Sequence, residues 1–107
     1  MNQPTAMSGN THTVYAEDMK DEVMNHALSA AHTAFETPPQ DPGTPIYNLI
    51  AKKIREEFDK EYGRGWNCVV GRHFGAYVTH EIKTYIYFSV VPRVSILLWK
   101  SSGPPVA

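Results

Sequence analysis

The chain has one cysteine, little net charge and no long apolar run, and each shortage excludes a class of protein. A lone Cys68 cannot form an internal disulfide, which is typical of a reducing intracellular compartment. No stretch approaches the roughly 20 apolar residues of a membrane-spanning helix. The N-terminus is polar and lacks the apolar centre of a signal peptide. We therefore expect a cytoplasmic protein without a membrane anchor.

The net charge of −1 conceals an asymmetry between the two halves of the chain. Residues 1–61 contain ten acidic and five basic side chains, whereas residues 62–107 contain one acid, Glu81, and five basic side chains. A mildly positive second half predicts attraction to acidic peptides. Because the isoelectric point is only about 6.5, nucleic acid is the less favoured partner.

The 107 residues are enough for one domain. We expect a disordered N-terminal tail over 1–13, a folded domain over 14–103 and a short C-terminal tail over 104–107. A domain of this size buries only about 60–65% of its unfolded surface and is marginally stable alone. With no disulfide available, self-association is the expected source of additional stability.

Apolar residues at helical spacing predict a first helix over about 19–35, with Asp18 as its N-cap. The segment "ETPPQDPGTP" then ends this helix, because its four prolines cannot continue it. Pro45 suits the first position of a second helix. Gly63 is placed to end that helix.

The rest of the chain is rich in β-branched and aromatic residues and predicts strands separated by short turns. The predicted strands are Trp66–Val70, Phe74–His80, Thr84–Val91 and Val94–Lys100, with a weaker candidate at Thr13–Tyr15. Their hairpin spacing predicts pairing between consecutive strands. The predicted fold class is α+β, with two helices packed on a mostly antiparallel four- to five-stranded sheet.

The predicted sheet is apolar on both faces. In "VSILLW", Ile96 and Leu98 lie on one alternation and Leu97 and Trp99 on the other. Two helices can cover only one face, so the other face needs a second layer. We expect that layer to be another copy of the same sheet, which predicts a homodimer.

The residue types offer two candidates for a chemical site, a thiol enzyme and a metal centre. Cys68 with His73 or His80 is the candidate for a thiol enzyme. Cys68 lies on the same alternation as buried strand residues, however, which favours a core cysteine. The histidines include no i,i+4 helical pair and no Cys-x-x-Cys occurs, so no metal and no cofactor are expected.

A sheet that binds single-stranded RNA is the other alternative. Tyr77, Tyr85, Tyr87 and Phe88 have the side chains that stack on bases. Packing of the same aromatic side chains in a core or a dimer interface is the simpler interpretation, because basic residues are few.

The stretch "IREEFDKEYGRGWNCVVGRHFGAYVTHEIKTYIYF", followed by "ILLWKSSG", resembles the small dimeric hub type of dynein light chain. The resemblance covers roughly residues 14–103 and rests on several motifs in one order. They are the helix end "EFDK-Y", the strand Trp-x-Cys-Val-Val-Gly, "FG-YVTHE", "YIYF" and "ILL-aromatic-Lys-Ser".

The resemblance implies a non-catalytic, symmetric dimer in which one strand crosses to the partner's sheet. It also implies two grooves in which an extended client segment adds as a β-strand, against the second helix of the other subunit. The implied partners are dynein intermediate chains, other light chains and short extended client peptides, with no nucleic acid and no membrane. The implied location is the cytoplasm and cytoskeleton, with the axoneme of a cilium or flagellum as the alternative.

The resemblance also assigns residues to the groove and the dimer interface. The groove residues are Arg72, Phe74, Gly75, Ala76, Tyr77, Val78, Thr79, His80, Tyr85, Tyr87, Tyr47 and Asn48. The dimer-interface residues are Trp66, Asn67, Tyr77 and His80. Gly75 is interpreted as a bulge or a place where another backbone comes close.

The chain departs from the family pattern at the second helix and at the dimer seam. Many members have a Glu-Lys pair that orients a client glutamine, and Tyr47 and Asn48 stand at those positions. The histidine that commonly follows the tryptophan is Asn67 here. These departures indicate a divergent paralogue, either a dedicated axonemal subunit or a general cytoplasmic hub, with an altered client preference.

Overall fold

The computed structural model describes residues 11–101. Along the chain it contains β1 (Thr13–Met19), α1 (Asp21–Glu36), α2 (Ile46–Tyr62), β2 (Trp66–Gly71), β3 (His80–Val91) and β4 (Val94–Ser101). The predicted α+β class, with two helices on an antiparallel four-stranded sheet, is confirmed. Neither helix in this part of the chain is long and apolar enough to cross a membrane.

The four strands form one antiparallel sheet in the order β1-β3-β4-β2. Of the strands that the structure describes, only β3 and β4 form a tight hairpin, closed by Pro92 and Arg93 between the paired residues Val91 and Val94. The Ser89 hydroxyl lies 2.7 Å from the carbonyl oxygens of both paired valines and donates to one at a time. In this sheet β1 and β2 are the edges, so each has one side without a neighbouring strand.

The hydrophobic core lies between the helices and one face of the sheet. Small side chains on α1 (Ala27, Ala31 and Ala34) let that helix approach closely, and α2 buries Ile54 and Phe58. The opposing strand residues in the same cluster are Trp66, Ile86, Phe88, Val90, Ile96 and Leu98. Their period-two spacing matches the alternation of strand side chains.

The first helix begins later than predicted because strand β1 runs on to Met19. The predicted N-cap at Asp18 is wrong, since Lys20 holds the N-cap position and makes no side-chain cap. Asp18 instead accepts a hydrogen bond from the Lys83 backbone N–H at 3.0 Å and faces its ammonium group at 3.4 Å. These contacts support the left-handed φ of 64° at Lys83 and connect β1 to β3.

The predicted strand at Phe74–His80 is wrong in the single chain. Residues 74–79 have no regular structure, and β3 begins only at His80. The predicted pairing of consecutive strands also fails here, because β2 pairs with β4. A β-strand needs a hydrogen-bonded neighbour, and among residues 11–101 of its own chain this segment has none.

The face of the sheet opposite the helices, which we call the outer face, is apolar as predicted. Tyr85, Tyr87, Leu97 and Trp99 point to it, alternating with the core residues. The expectation that this chain has nothing to cover that face is wrong in part. Phe74 packs on Tyr87 with ring centroids 6.0 Å apart, and Leu97 is only 2% exposed although it lies outside the helix-side core.

Candidate partner-binding surfaces

The end of α2 determines where β2 runs. Gly63 and Gly65 adopt positive φ values of 90° and 112°, which suit glycine and let the chain reverse directly after the helix. An Asp59 carboxylate oxygen then accepts a hydrogen bond from the Trp66 backbone N–H at 3.1 Å. The strand is therefore held alongside the helix that precedes it.

A cavity of about 380 Å³ lies between α2 and the free edge strand β2, and we call it the α2–β2 groove. Tyr47, Asn48 and Ala51 line it from the helix, while Cys68–Val70 line it from the strand. Tyr47 is partly buried against the core, whereas Asn48 is exposed. The helix thus offers an amide and a phenol where a charged pair is common in the family.

Two basic residues in this groove were missed by the sequence analysis. Lys52 and Arg55 lie on the same side of α2 as Asn48 and Ala51 and line the same cavity. Charged residues on an amphipathic helix usually form its solvated face, so the sequence pattern alone did not mark these two as groove residues. Their spacing of four and seven residues from Asn48 was the available signal, because those positions share one helix face.

The segment between β2 and β3, residues 72–79, lies against the outer face of its own sheet. Arg72, Phe74, Gly75 and Tyr87 line one cavity there, of about 510 Å³. Phe74 and Ala76 line a second of about 180 Å³ with Tyr85, Tyr87 and Leu97. The structure therefore brings these predicted groove residues together on one surface.

The second half of this segment extends away from the protein surface. Tyr77 is 100% exposed and Thr79 is exposed, while Val78 is half-buried. His80 stacks on Tyr85 with centroids 4.8 Å apart, and its Nδ1 donates to the Glu81 carbonyl oxygen at 2.7 Å. A Cβ added to Gly75 would meet no atom within 4 Å, so the single chain gives no steric reason for glycine there.

The predicted groove residues therefore fall on two separate surfaces of one chain. Tyr47 and Asn48 lie in the α2–β2 groove, whereas Phe74 and Ala76 lie over the outer face. The prediction had placed the client segment against the second helix of the other subunit. In that arrangement the helix residues of one chain and residues 74–80 of the other would line the same groove, so their separation within one chain is compatible with it.

The residues assigned to the dimer interface also differ in accessibility. Trp66 is 4% exposed and packs edge-on against Phe58, so it belongs to the helix-side core. Asn67, on the opposite alternation, donates from its side-chain amide to Ser101 Oγ at 2.8 Å. Tyr77 is fully exposed and Asn67 and His80 are half-buried, so these three have accessible surface for a partner, whereas Trp66 has almost none.

The environment of Cys68 is unfavourable for a thiol enzyme. Burial raises the pKa of the thiol to about 12, so almost none of it is thiolate at neutral pH. Among residues 11–101, no three or more His, Cys, Asp or Glu side chains are grouped to hold a metal ion.

Two helices on one face of an antiparallel sheet, with an open groove at its edge, define a small two-layer α+β protein. The family model described as dynein light chain type 1 matches residues 11–101. The chain belongs to that family, as its motifs had indicated.

Solved structures show the same fold. A mercury derivative of the dynein light chain-like domain of the Fasciola hepatica calcium binding protein FhCaBP2 superposes with a TM-score of 0.68 at 21% identity. It matches 94% of this chain and all of that domain. A native crystal form of the same domain has a TM-score of 0.64 at 18% identity, over 92% of this chain and all of that one. The family and the fold support a non-catalytic, light chain-like role.

Proposed function

We propose that the protein is a dimeric hub that binds extended segments of client proteins by β-strand addition. The clients are dynein intermediate chains or other proteins, and the hub serves as an accessory subunit of a microtubule motor. In this proposal residues 74–80 cross to the partner subunit and become a strand there. The client segment then pairs with that strand and lies against α2 of the partner.

One observation carries this proposal. Within the described part of the chain, the strand-forming residues 74–79 have no neighbouring strand, and the edge strand β2 (Trp66–Gly71) has none on one side. Each provides backbone N–H and C=O groups that pairing would satisfy. Because two copies provide two segments and two edges, a symmetric exchange satisfies both.

Cooperation between two identical grooves is the functional consequence of such a dimer. Two client chains bound side by side are held at a high effective concentration relative to each other. The hub would therefore promote dimerisation of its clients without any chemistry. We propose the cytoplasm and cytoskeleton as its location. The axoneme is the alternative, because Tyr47 and Asn48 depart from the common pattern.

The groove residues can be tested by calorimetric titration with extended peptides from dynein intermediate chains. Thr79→Ala removes a hydroxyl from an exposed residue of the crossing segment and is expected to cost about 1 kcal/mol of binding free energy. Ser29→Ala, on the exposed side of α1, is the matched control and is expected to change nothing. Equal affinities for the two variants would contradict the assignment of Thr79.

The same titration tests the effect of the two α2 residues that depart from the family pattern. Paired peptides that differ only at the central glutamine are expected to bind with nearly equal affinity, because Tyr47 and Asn48 lack the charges that orient that glutamine in many relatives. A preference for glutamine of about 2 kcal/mol or more, which is roughly 30-fold in affinity, would contradict this expectation.

A further inference from the structure

The side chains that line the α2–β2 groove carry positive charge. Lys52 and Arg55 line it, and no acidic side chain of the described residues lines it with them. Asn48, one turn before Lys52, adds an amide that can donate a hydrogen bond. The wall formed by α2 is therefore positive and rich in hydrogen-bond donors.

Each of these two cations has a carboxylate one turn further along α2, at the outer limit of ion-pair distance. The Lys52 ammonium nitrogen is 4.0 Å from a Glu56 carboxylate oxygen, and Arg55 Nε is 3.9 Å from one of Asp59. Both distances are longer than a hydrogen bond, and the Lys52 and Arg55 side chains are 64% and 48% exposed. Glu56 and Asp59 line a neighbouring cavity, on the side of α2 near Arg64 and Trp66, and Arg55 lines both cavities.

We infer that the client segment, paired with the crossing strand and lying along this face of α2, is acidic, with an aspartate or glutamate facing Lys52 and Arg55. The inference rests on the proposed function, in which α2 forms one wall of the client groove. A carboxylate at that position meets two cations spaced three residues apart on one helix face and accepts a hydrogen bond from either. The exposed Arg72, two residues before the crossing segment, would add positive charge near the crossing strand in this arrangement.

Charge complementarity of this kind controls selection as well as affinity. A client with lysine or arginine at the same position would place like charges together, which disfavours binding. The groove of this chain therefore selects acidic extended segments, where the family pattern selects glutamine through its Glu-Lys pair.

Selection from a display library of random 16-residue peptides tests the inference without a known client. The full chain and a Lys52→Gln/Arg55→Gln double variant are panned in parallel at low salt. The native protein is expected to enrich peptides with aspartate or glutamate at one fixed position, and the double variant is expected to lose that enrichment. Lys60→Gln removes a positive charge from α2 outside the groove and is expected to select like the native protein.

Calorimetry on the best selected peptide then measures the contact. Replacing its acidic residue by the corresponding amide is expected to weaken binding about 3- to 10-fold, as for a partly exposed charge contact with two cations. The double variant is expected to bind the acidic peptide about as weakly, and to lose little more with the amide peptide. The difference should also shrink between 50 and 500 mM salt.

The outcomes separate the two proposals. Enriched peptides without a fixed acidic position, or equal affinity for the acid and amide forms, would overturn the inference and leave strand addition standing. Failure of the native protein to enrich any peptide would overturn both. Circular dichroism of the variants confirms that the exposed substitutions leave the fold intact.

Discussion

At the scale of single residues, burial changes the pKa of titratable side chains in ways that the sequence alone does not show. Cys68 lies beside core residues of β2, and its surroundings disfavour the charged thiolate. His32, on α1, is also partly desolvated, and its Nε2 is buried without a hydrogen-bond partner among the described residues. Burial disfavours the charged form of both groups, so it raises the pKa of the Cys68 thiol and lowers the pKa of the His32 imidazole.

The raised pKa of Cys68 predicts slow alkylation of the native protein. With a pKa of about 12, reaction with iodoacetamide at pH 8 is expected to be at least about 100-fold slower than in urea-unfolded chain. Mass spectrometry of timed samples measures both rates. Ser29→Cys, which places a thiol on the exposed side of α1, should be labelled quickly in the native protein. Rapid labelling of native Cys68 would revive the thiol-enzyme alternative.

The lowered pKa of His32 predicts loss of stability on acidification. Burial is the main cause of the shift, His12 adds to it and Glu36 opposes it. The unfolded chain therefore binds the proton more readily, so stability falls as pH drops from about 6.5 through the folded pKa. His32→Gln is expected to flatten the pH dependence of the urea midpoint in this window. His73→Gln, which removes an exposed imidazole, is the control; equal slopes for both variants would contradict the prediction.

At the scale of elements, one histidine links the two helices. His26 on α1 lies with Nε2 2.6 Å from a Glu57 carboxylate oxygen and Nδ1 2.8 Å from the Tyr62 hydroxyl, both on α2. With the Nε2 proton directed at the carboxylate, the hydroxyl donates to Nδ1. Burial raises the pKa of Tyr62, with nearby carboxylates adding to the shift, so its hydroxyl keeps the proton it donates.

Removal of the Tyr62 hydroxyl measures this link between the helices. Tyr62→Phe is expected to lower the free energy of unfolding by about 0.5–1.5 kcal/mol, because the His26 nitrogen loses its partner while the ring packing on Phe58 remains. Urea unfolding followed by circular dichroism gives the value. Tyr15→Phe removes a hydroxyl from a half-exposed ring and is the control. Identical midpoints for both variants would show that the contact contributes nothing.

The segment 74–80 shows why elements cannot always be predicted one at a time. Its aromatic and β-branched residues predict a strand, yet in the single chain residues 74–79 have no regular structure. Local preference supplies only side chains that fit a pleated surface. Whether they form a strand depends on a neighbour, and β2 is paired with β4 instead.

At the scale of the whole molecule, exposed apolar side chains point to a second copy. Tyr77 is fully exposed and Ile82 is 83% exposed, and both lie in or just after the segment proposed to cross. Exposed apolar groups concentrated in one place mark interaction surfaces more often than isolated ones do. A dimer would bury them and provide the missing neighbour for the segment.

Sedimentation velocity tests this assembly. We expect a dimer at micromolar concentration, and a shift of Tyr77→Lys toward monomer, because the new charge would be buried at the interface. The single-chain fold should survive, since the Tyr77 side chain is fully exposed there. Asn25→Lys, on the exposed side of α1, is the control. A folded wild-type monomer at micromolar concentration would overturn the dimer, and with it the shared groove.

Acidification to pH 5–6 should not dissociate such a dimer through position 67, because Asn67 gains no proton there, whereas the histidine common in relatives would.

The sequence by itself determined the class of the protein and its main elements. Helical spacing, Pro45 and Gly63 were enough to locate α2, and the motif order was enough to identify the family. The apolar alternation of β4 (Val94–Ser101) was enough to show that both faces of the sheet need cover. Each of these depends on local spacing, which a sequence records directly.

Only the tertiary structure decided the strand order, the position of residues 74–79 and the contents of the groove. The pairing of β2 with β4 joins residues about 30 positions apart, and no local preference specifies it. The same pairing leaves β2 at an edge beside α2, where Lys52 and Arg55 face a cavity and not only solvent. Whether a helix residue lines a groove depends on which strand lies opposite it, and long-range packing determines that.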